Sequence, residues 1–266
     1  MLSLFRPRLP IDHDELEWQL ATFKWLGEEF GASAETELVE PSPKWFPSAA
    51  LKGPGRVEAL FADVKRAAGM EDWPCELEAG RQDRPAQVGA GLLLRHEGAA
   101  APCGTFMIEG ADGERKVIIT YNPSLAMDTG AMIATFAHEL AHYLMSTAGS
   151  APPGGWELQE LHTDLAAVYL GFGIFLANSA RSFSQFQSAT EAGWSSRSQG
   201  YLSEGALVTA LAIFERLAGR DPGAAGACLK PYLEGDLKAA AKYLERHYRD
   251  MAASVAAIDL DAFIRE

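Results

Sequence analysis

Two histidines four residues apart, with a glutamate directly after the first, are the residues of this chain best suited to chemistry. His138, Glu139 and His142 form the pattern H-E-x-x-H within an apolar stretch. On a helix, positions i and i+4 lie one turn apart on the same face, so both imidazoles can bind one Zn²⁺. The adjacent glutamate can then act as a general base on a metal-bound water. The motif therefore predicts a catalytic zinc site on a helix.

The surroundings of the motif favour this interpretation. Apart from Glu139, no Asp, Glu, Lys or Arg lies between Asp128 and Glu157. An ionisable cluster in so apolar a helix is costly unless something pairs with it. The alternative interpretation is a buried helix whose two histidines are hydrogen bonded and hold no metal.

Residues 135–144 resemble the extended consensus of zincin metallopeptidases, in which uncharged residues surround the motif and a hydrophobic residue follows the second histidine by two positions. The metzincin branch continues as H-x-x-G-x-x-H, and residues 143–148 supply neither the glycine nor the third histidine. In gluzincins the third ligand is a glutamate on a second helix, often within E-x-x-x-D. Glu160 and Asp164 match that pattern, and the resemblance covers roughly residues 115–178.

The resemblance implies that Glu160 completes the zinc site with the two histidines, and that Asp164 accepts the free N–H of a zinc-bound histidine. Glu160 and Asp164 share one helical face. Three other assignments of the third ligand stay open: Asp164 itself, Glu157 one turn earlier, and His162. On a helix, His162 points about 160–200° away from Glu160 and Asp164. A first-turn glutamate also favours the helix dipole without any metal.

A hydrolase of this kind needs a second group to stabilise the oxyanion of the transition state. Tyr201, His162 and Tyr169 have suitable side chains, and the sequence does not choose among them.

The remaining patterns predict an α+β fold, a zincin-like domain whose small antiparallel sheet precedes the active-site helix and the glutamate helix, followed by a C-terminal helical region. Helices are predicted at about 12–30, 55–68, 128–146, 156–177, 203–218 and 236–253, and strands at 75–78, 88–95, 105–108 and 116–120. By the gluzincin resemblance, a peptide would add as a strand beside 105–108 or 116–120.

The predicted organisation is a metallopeptidase domain at 1–178, a linker or lid at 179–200, and a helical region at 201–266 packed on the first domain. Within the last two segments, Trp194, Tyr201, Ala210, Phe214 and Pro222 fall at the spacings of a tetratricopeptide repeat. A single repeat cannot bury its own faces. We therefore expect helices packed on the zinc domain, with a protein partner at these helices as the alternative.

Composition restricts the partners and the compartment. The 266 residues carry a formal net charge of −13, which argues against nucleic acid or an anionic membrane and leaves peptides and proteins as substrates. Residues 1–10 lack the apolar core of a signal peptide, and three cysteines are too few for a disulfide framework. We expect a cytoplasmic zinc-dependent metallopeptidase.

Two alternatives to that function remain. The first is a catalytically silent zincin-like protein used for binding or regulation, since a fold-level likeness does not prove turnover. The second is an unrelated helical adaptor in which the motif is accidental.

Overall fold

The computed structural model describes residues 8–31, 35–80, 103–111, 114–187 and 201–263 and confirms an α+β fold. Within these ranges the helices are α1 (His13–Phe30), α2 (Arg56–Ala67), α3 (Thr129–Met145), α4 (Gln159–Ala167), α5 (Gly173–Gln187), α6 (Glu204–Leu217), α7 (Gly223–Gly226), α8 (Glu234–His247) and α9 (Met251–Ala256). The strands are β1 (Glu76–Ala79), β2 (Gly104–Ala111) and β3 (Glu114–Tyr121). The strand predicted at 88–95 lies outside the described residues.

Short polar side chains cap the N-termini of three helices, one of which is the motif helix α3. Asp12, Asp128 and Ser203 precede α1, α3 and α6, and each accepts a hydrogen bond from the backbone N–H three residues further on. Such caps satisfy donors that have no partner within the helix. The Asp128 cap marks the start of α3.

The sheet is mixed, so the prediction of an antiparallel sheet was wrong for one strand. The strand order is β1-β3-β2, with β2 antiparallel and β1 parallel to the central β3. A tight connection joins β2 to β3 and forces them to be antiparallel. A long stretch of chain separates β1 from β3, and strand patterning encodes which face is buried but not direction.

The strand order also corrects one of the two predicted docking positions for a peptide. Residues 116–120 belong to β3, which is hydrogen bonded to a strand on each side. Residues 105–108 belong to β2, which has one strand neighbour among the described strands. Of the two predicted positions, the one in β2 could therefore accept a further strand, and the one in β3 could not.

The predicted helix at 156–177 is interrupted. A short 3₁₀ turn (Trp156–Leu158) leads into α4, and a π-helical segment (Val168–Phe172) joins α4 to α5. Gly171 has φ 96°, and a Cβ there would lie 2.4 Å from the carbonyl oxygen of Glu37. Its own carbonyl accepts a hydrogen bond from Val39 N at 3.0 Å. Glycine is required here because the extended segment at 37–39 passes directly against the helix.

The C-terminal helix α6 packs on α5, which in turn packs on the motif helix α3. α6 packs against α5 and α8, and a Cβ on Gly173 would lie 3.0 Å from Leu211 of α6. Two residues of the tetratricopeptide-like pattern, Ala210 and Phe214, are 0% exposed in this packing, while Trp194 lies outside the described residues. The helix predicted at 236–253 is divided into α8 and α9, with Asp250 capping the second.

In the described part of the chain, one helical stretch, Trp156–Arg181, has the length and apolar character needed to cross a membrane, with a mean hydropathy of 1.2. The protein itself buries 94% of the residues in that window. A core helix meets the same criteria, and the surroundings of this stretch are those of a core helix.

Candidate metal centre

Three side chains from two packed helices converge at one point. His138 and His142 lie one turn apart on α3, and Glu160 lies in the first turn of α4. Glu160 Oε2 is 3.2 Å from His138 Nε2 and 3.4 Å from His142 Nε2. One donor atom from each residue lies within 4.8 Å of the others. Two imidazoles and a carboxylate so placed could hold a metal ion.

The far nitrogen of each imidazole has its own partner. His138 Nδ1 is 2.9 Å from Asp164 Oδ1, and His142 Nδ1 is 3.2 Å from Thr163 Oγ1. The Thr163 hydroxyl donates to the carbonyl of Gln159 at 2.9 Å, which leaves its lone pairs to accept from His142. Both rings are thereby oriented with Nε2 toward Glu160, the arrangement that a metal ligand needs.

The electrostatics of the cluster favour positive charge. Burial opposes charging of His138, which is 3% exposed, but hydrogen bonds to Asp164 and Glu160 raise its pKa well above the usual value. A buried imidazole flanked by two carboxylates holds its proton tightly because they favour the cationic form. A divalent metal would satisfy the same carboxylates, so the donor set fits a cation.

Glu139 is buried beside the cluster, against the start of β2. It is 3% exposed, and a Cβ on Gly104 would lie only 2.8 Å from Glu139 Oε1 and 2.7 Å from Thr135 Cγ2. The backbone oxygen of Thr120 would also lie only 2.9 Å away, so a side chain at Gly104 would force at least one of these three neighbours to move. Sequence reasoning missed Gly104, although glycine next to a strand is a known sign of close approach.

A neighbouring cysteine reflects this environment. Cys103 is 4% exposed, and its burial, together with the charge of Glu139, raises the pKa of the thiol to about 12. The thiol therefore remains protonated and neutral at physiological pH.

Tyr201 is the candidate oxyanion stabiliser that the structure brings to the cluster. Its ring centroid is 4.9 Å from that of His138, in an edge-on arrangement. Burial, followed by the charges of Glu139, Glu160 and Asp164, raises the pKa of its hydroxyl well above the usual value. The hydroxyl therefore stays protonated and keeps its capacity to donate a hydrogen bond.

The other candidates lie elsewhere. His162 is on the opposite face of α4, where its Nε2 bonds to the carbonyl oxygen of Pro153 at 2.8 Å. The Tyr169 hydroxyl donates to the carbonyl of Gly31 at the end of α1. Glu157 is exposed in the 3₁₀ turn before α4 and is not part of the cluster.

An aromatic residue of β2 borders the cluster. The Phe106 ring is parallel to the His142 ring within 8°, with centroids 6.3 Å apart. The Phe106 and Tyr143 centroids are 5.7 Å apart. β2 thus approaches α3 at both Gly104 and Phe106. A single strand pattern gives no signal for this, because it does not show which helix a strand packs against.

Comparisons of the chain with protein-family models, with curated proteins and with solved structures give no match.

Proposed function

We propose that this protein is a zinc-dependent hydrolase, and specifically a metallopeptidase that cleaves peptide bonds. The observation that carries the proposal is the convergence of His138, His142 and Glu160, with Glu139 following the first histidine on the same helix. Two nitrogen ligands and one carboxylate are a ligand set of catalytic zinc sites. A site of purely structural zinc would not need a carboxylate base beside it.

Each residue has a distinct role in the proposal. His138, His142 and Glu160 hold the ion, while Asp164 and Thr163 orient the two imidazoles from behind. When bound, zinc supplies Lewis acidity, which lowers the pKa of water and polarises a carbonyl group. Glu139 takes the proton from the attacking water and passes it to the leaving nitrogen.

Tyr201 is the residue that we propose as stabiliser of the oxyanion. Its ring lies edge-on to the His138 ring, with centroids 4.9 Å apart, and burial together with the charges of Glu139 and Glu160 raises the pKa of its hydroxyl. A protonated hydroxyl in a buried setting stabilises developing negative charge more strongly than it does in water. His162 and Tyr169 are engaged with backbone carbonyls away from the cluster, so we do not assign them this role.

An extended peptide is the substrate that best suits this geometry. β2 borders the cluster through Gly104 and Phe106 and could pair with an added strand.

The three cysteines Cys75, Cys103 and Cys228 are all free thiols. Free thiols suit a reducing compartment, so we place the activity in the cytoplasm.

The substitution Glu139→Gln tests the mechanism. It should lower the rate of peptide hydrolysis by about 10²–10⁴-fold, the usual contribution of a general base, and leave bound zinc unchanged. The control is Glu157→Gln, which makes the same chemical change at an exposed position outside the cluster. Hydrolysis of a peptide library and zinc content are measured for both variants. Equal activity in Glu139→Gln and the parent protein would disprove the proposed role of Glu139.

A second candidate function is metal-dependent binding without turnover. It is favoured by the low exposure of the reacting groups, since His138 and Glu139 are each only 3% exposed. In that case the protein would bind zinc and a peptide, and no peptide would be cleaved under any condition that loads the metal.

A further inference from the structure

We propose that the Asp164 carboxylate couples the metal site to the position of Tyr201. One of its oxygens contacts His138, and the other holds the backbone of Leu202, the residue after Tyr201. Asp164 Oδ1 is 2.9 Å from His138 Nδ1, and Asp164 Oδ2 accepts a hydrogen bond of 2.7 Å from the backbone N–H of Leu202. The coupling rests on the proposed function, because it requires that His138 binds a metal. Leu202 is accordingly a positioning residue, which acts through its backbone rather than its side chain.

The burial of Asp164 makes the two hydrogen bonds interdependent. Its side chain is 1% exposed, so water cannot replace a lost partner. A buried carboxylate is tolerated only when its oxygens are satisfied. If the His138 ring rotates, Asp164 must follow it, and the bond to Leu202 is then strained or lost.

The hydrogen bond from Leu202 to Asp164 controls the position of Tyr201, because Tyr201 directly precedes Leu202 in the chain. On the other side, Ser203 caps α6 by accepting from Ala206 N at 3.1 Å. Leu202 is thus held between Asp164 and the start of a buried helix. This arrangement keeps the centroid of the Tyr201 ring 4.9 Å from that of His138. The position of Tyr201 therefore depends on the Asp164 carboxylate, which also orients His138.

A metal on His138 Nε2 fixes the orientation of the ring, and therefore fixes Asp164. Coupling between two sites is reciprocal in free energy. Zinc should consequently stabilise the Leu202 hydrogen bond, and loss of that bond should weaken zinc binding by the same factor.

Amide hydrogen exchange of Leu202, measured by NMR with and without bound zinc, tests the coupling in the unaltered protein. We expect exchange at Leu202 to slow by about tenfold or more on zinc binding, a coupling of typical size. The Ala206 amide is the internal control, since Ser203 caps it without involving Asp164, and its protection should change less. Equal exchange at Leu202 in the two states, with zinc shown to be bound, would overturn the coupling alone. Failure to take up zinc would overturn the metal site itself and the coupling with it.

A pair of variants isolates the backbone donor. Leu202→Pro removes the N–H, whereas Leu202→Ala keeps it and removes most of the side chain, which is 5% exposed. We expect zinc affinity to fall by about tenfold in Leu202→Pro relative to Leu202→Ala, at the lower end of the range for residues behind a metal ligand. In peptide hydrolysis, Leu202→Pro should lower kcat more than it raises KM. Equal zinc affinity in the two variants would contradict the proposal, and the exchange experiment decides the question if the proline variant does not fold.

Discussion

His138 and His162 are both buried histidines in adjacent packed helices, yet their environments shift the pKa in opposite directions. His138 is 3% exposed and lies between Asp164 and Glu160, which raise its pKa well above the usual value despite the burial. His162 is 0% exposed and lies beside the Trp18 ring, with centroids 5.1 Å apart. Burial lowers the pKa of His162 to about 4, because it disfavours the charged imidazolium. Hydrogen bonding to backbone carbonyls, chiefly that of Pro153, raises the pKa and only partly offsets the effect of burial.

The difference shows that burial alone does not identify a metal-binding histidine. α4 presents carboxylates and a hydroxyl on one face and a neutral imidazole on the other, so the two faces of a single helix have opposite electrostatic preferences. The face toward α3 favours a cation, while the face toward α1 excludes charge. A histidine that keeps its proton among carboxylates is poised to exchange it for a metal, whereas one that stays neutral in an apolar setting contributes packing.

The largest expected contrast is in metal content. His138→Gln should reduce bound zinc from about one per chain to almost none, because it removes one of three protein ligands. His162→Gln should leave zinc content unchanged, since the Pro153 carbonyl and not the metal is its partner. Elemental analysis of both variants makes the comparison, and equal zinc content in the two would remove the distinction between the histidines.

The next effect is on stability at acid pH. In the unfolded chain a histidine binds a proton near pH 6.5, while folded His162 does so only at a pKa of about 4. The unfolded state therefore takes up the proton first as pH falls, and stability is lost between about pH 6.5 and 4. The difference between these two pKa values corresponds to roughly 3 kcal/mol of stability.

The substitution His162→Gln removes this titration and keeps a donor for the Pro153 carbonyl. We expect the free energy of unfolding of the metal-free variant to fall less between pH 7 and pH 4 than that of the parent protein. His138, His142 and Glu160 are the same in both proteins, so the difference isolates His162. Parallel stability curves from urea unfolding across this range would show that His162 is not the neutral histidine described above.

A smaller effect is expected at Thr163, which is 0% exposed. Thr163→Val keeps the shape of the side chain but removes the hydroxyl that lies 3.2 Å from His142 Nδ1, and leaves the more distant Gln159 amide, at 3.4 Å, near that nitrogen. Zinc affinity should fall by about 10–100-fold, the usual effect of losing a residue that orients a ligand. Thr163→Ser keeps the hydroxyl and should restore most of the affinity. Competition with a chromophoric chelator measures both, and identical affinities for valine and serine would contradict the role of the hydroxyl.

Much of this centre was predictable because helix geometry is regular. The spacing of Glu160, His162 and Asp164 already separates two faces of one helix, and the structure has the same separation. The helix caps Asp12, Asp128 and Ser203 follow from local chemistry in the same way.

The features that could not be predicted from the sequence depend on contacts between residues that are distant in the chain. The local pattern shows neither the parallel pairing of β1 nor that Glu139 is the side chain that Gly104 approaches. Tyr201 was one of three candidate oxyanion stabilisers, and its contact with His138 was not predictable because it joins residues that are far apart in the chain. Thr163 was missed because a threonine within a helix has many structural roles.

Metal stoichiometry of the unmodified protein tests the central claim most directly. The protein is purified without added metal and without a metal-binding tag, and its metal content is determined by elemental analysis and by titration at neutral pH. The account predicts close to one zinc per chain, held by His138, His142 and Glu160. A protein that contains no zinc and takes up none on titration would contradict the account, and the buried cluster would then be a hydrogen-bonded part of the core.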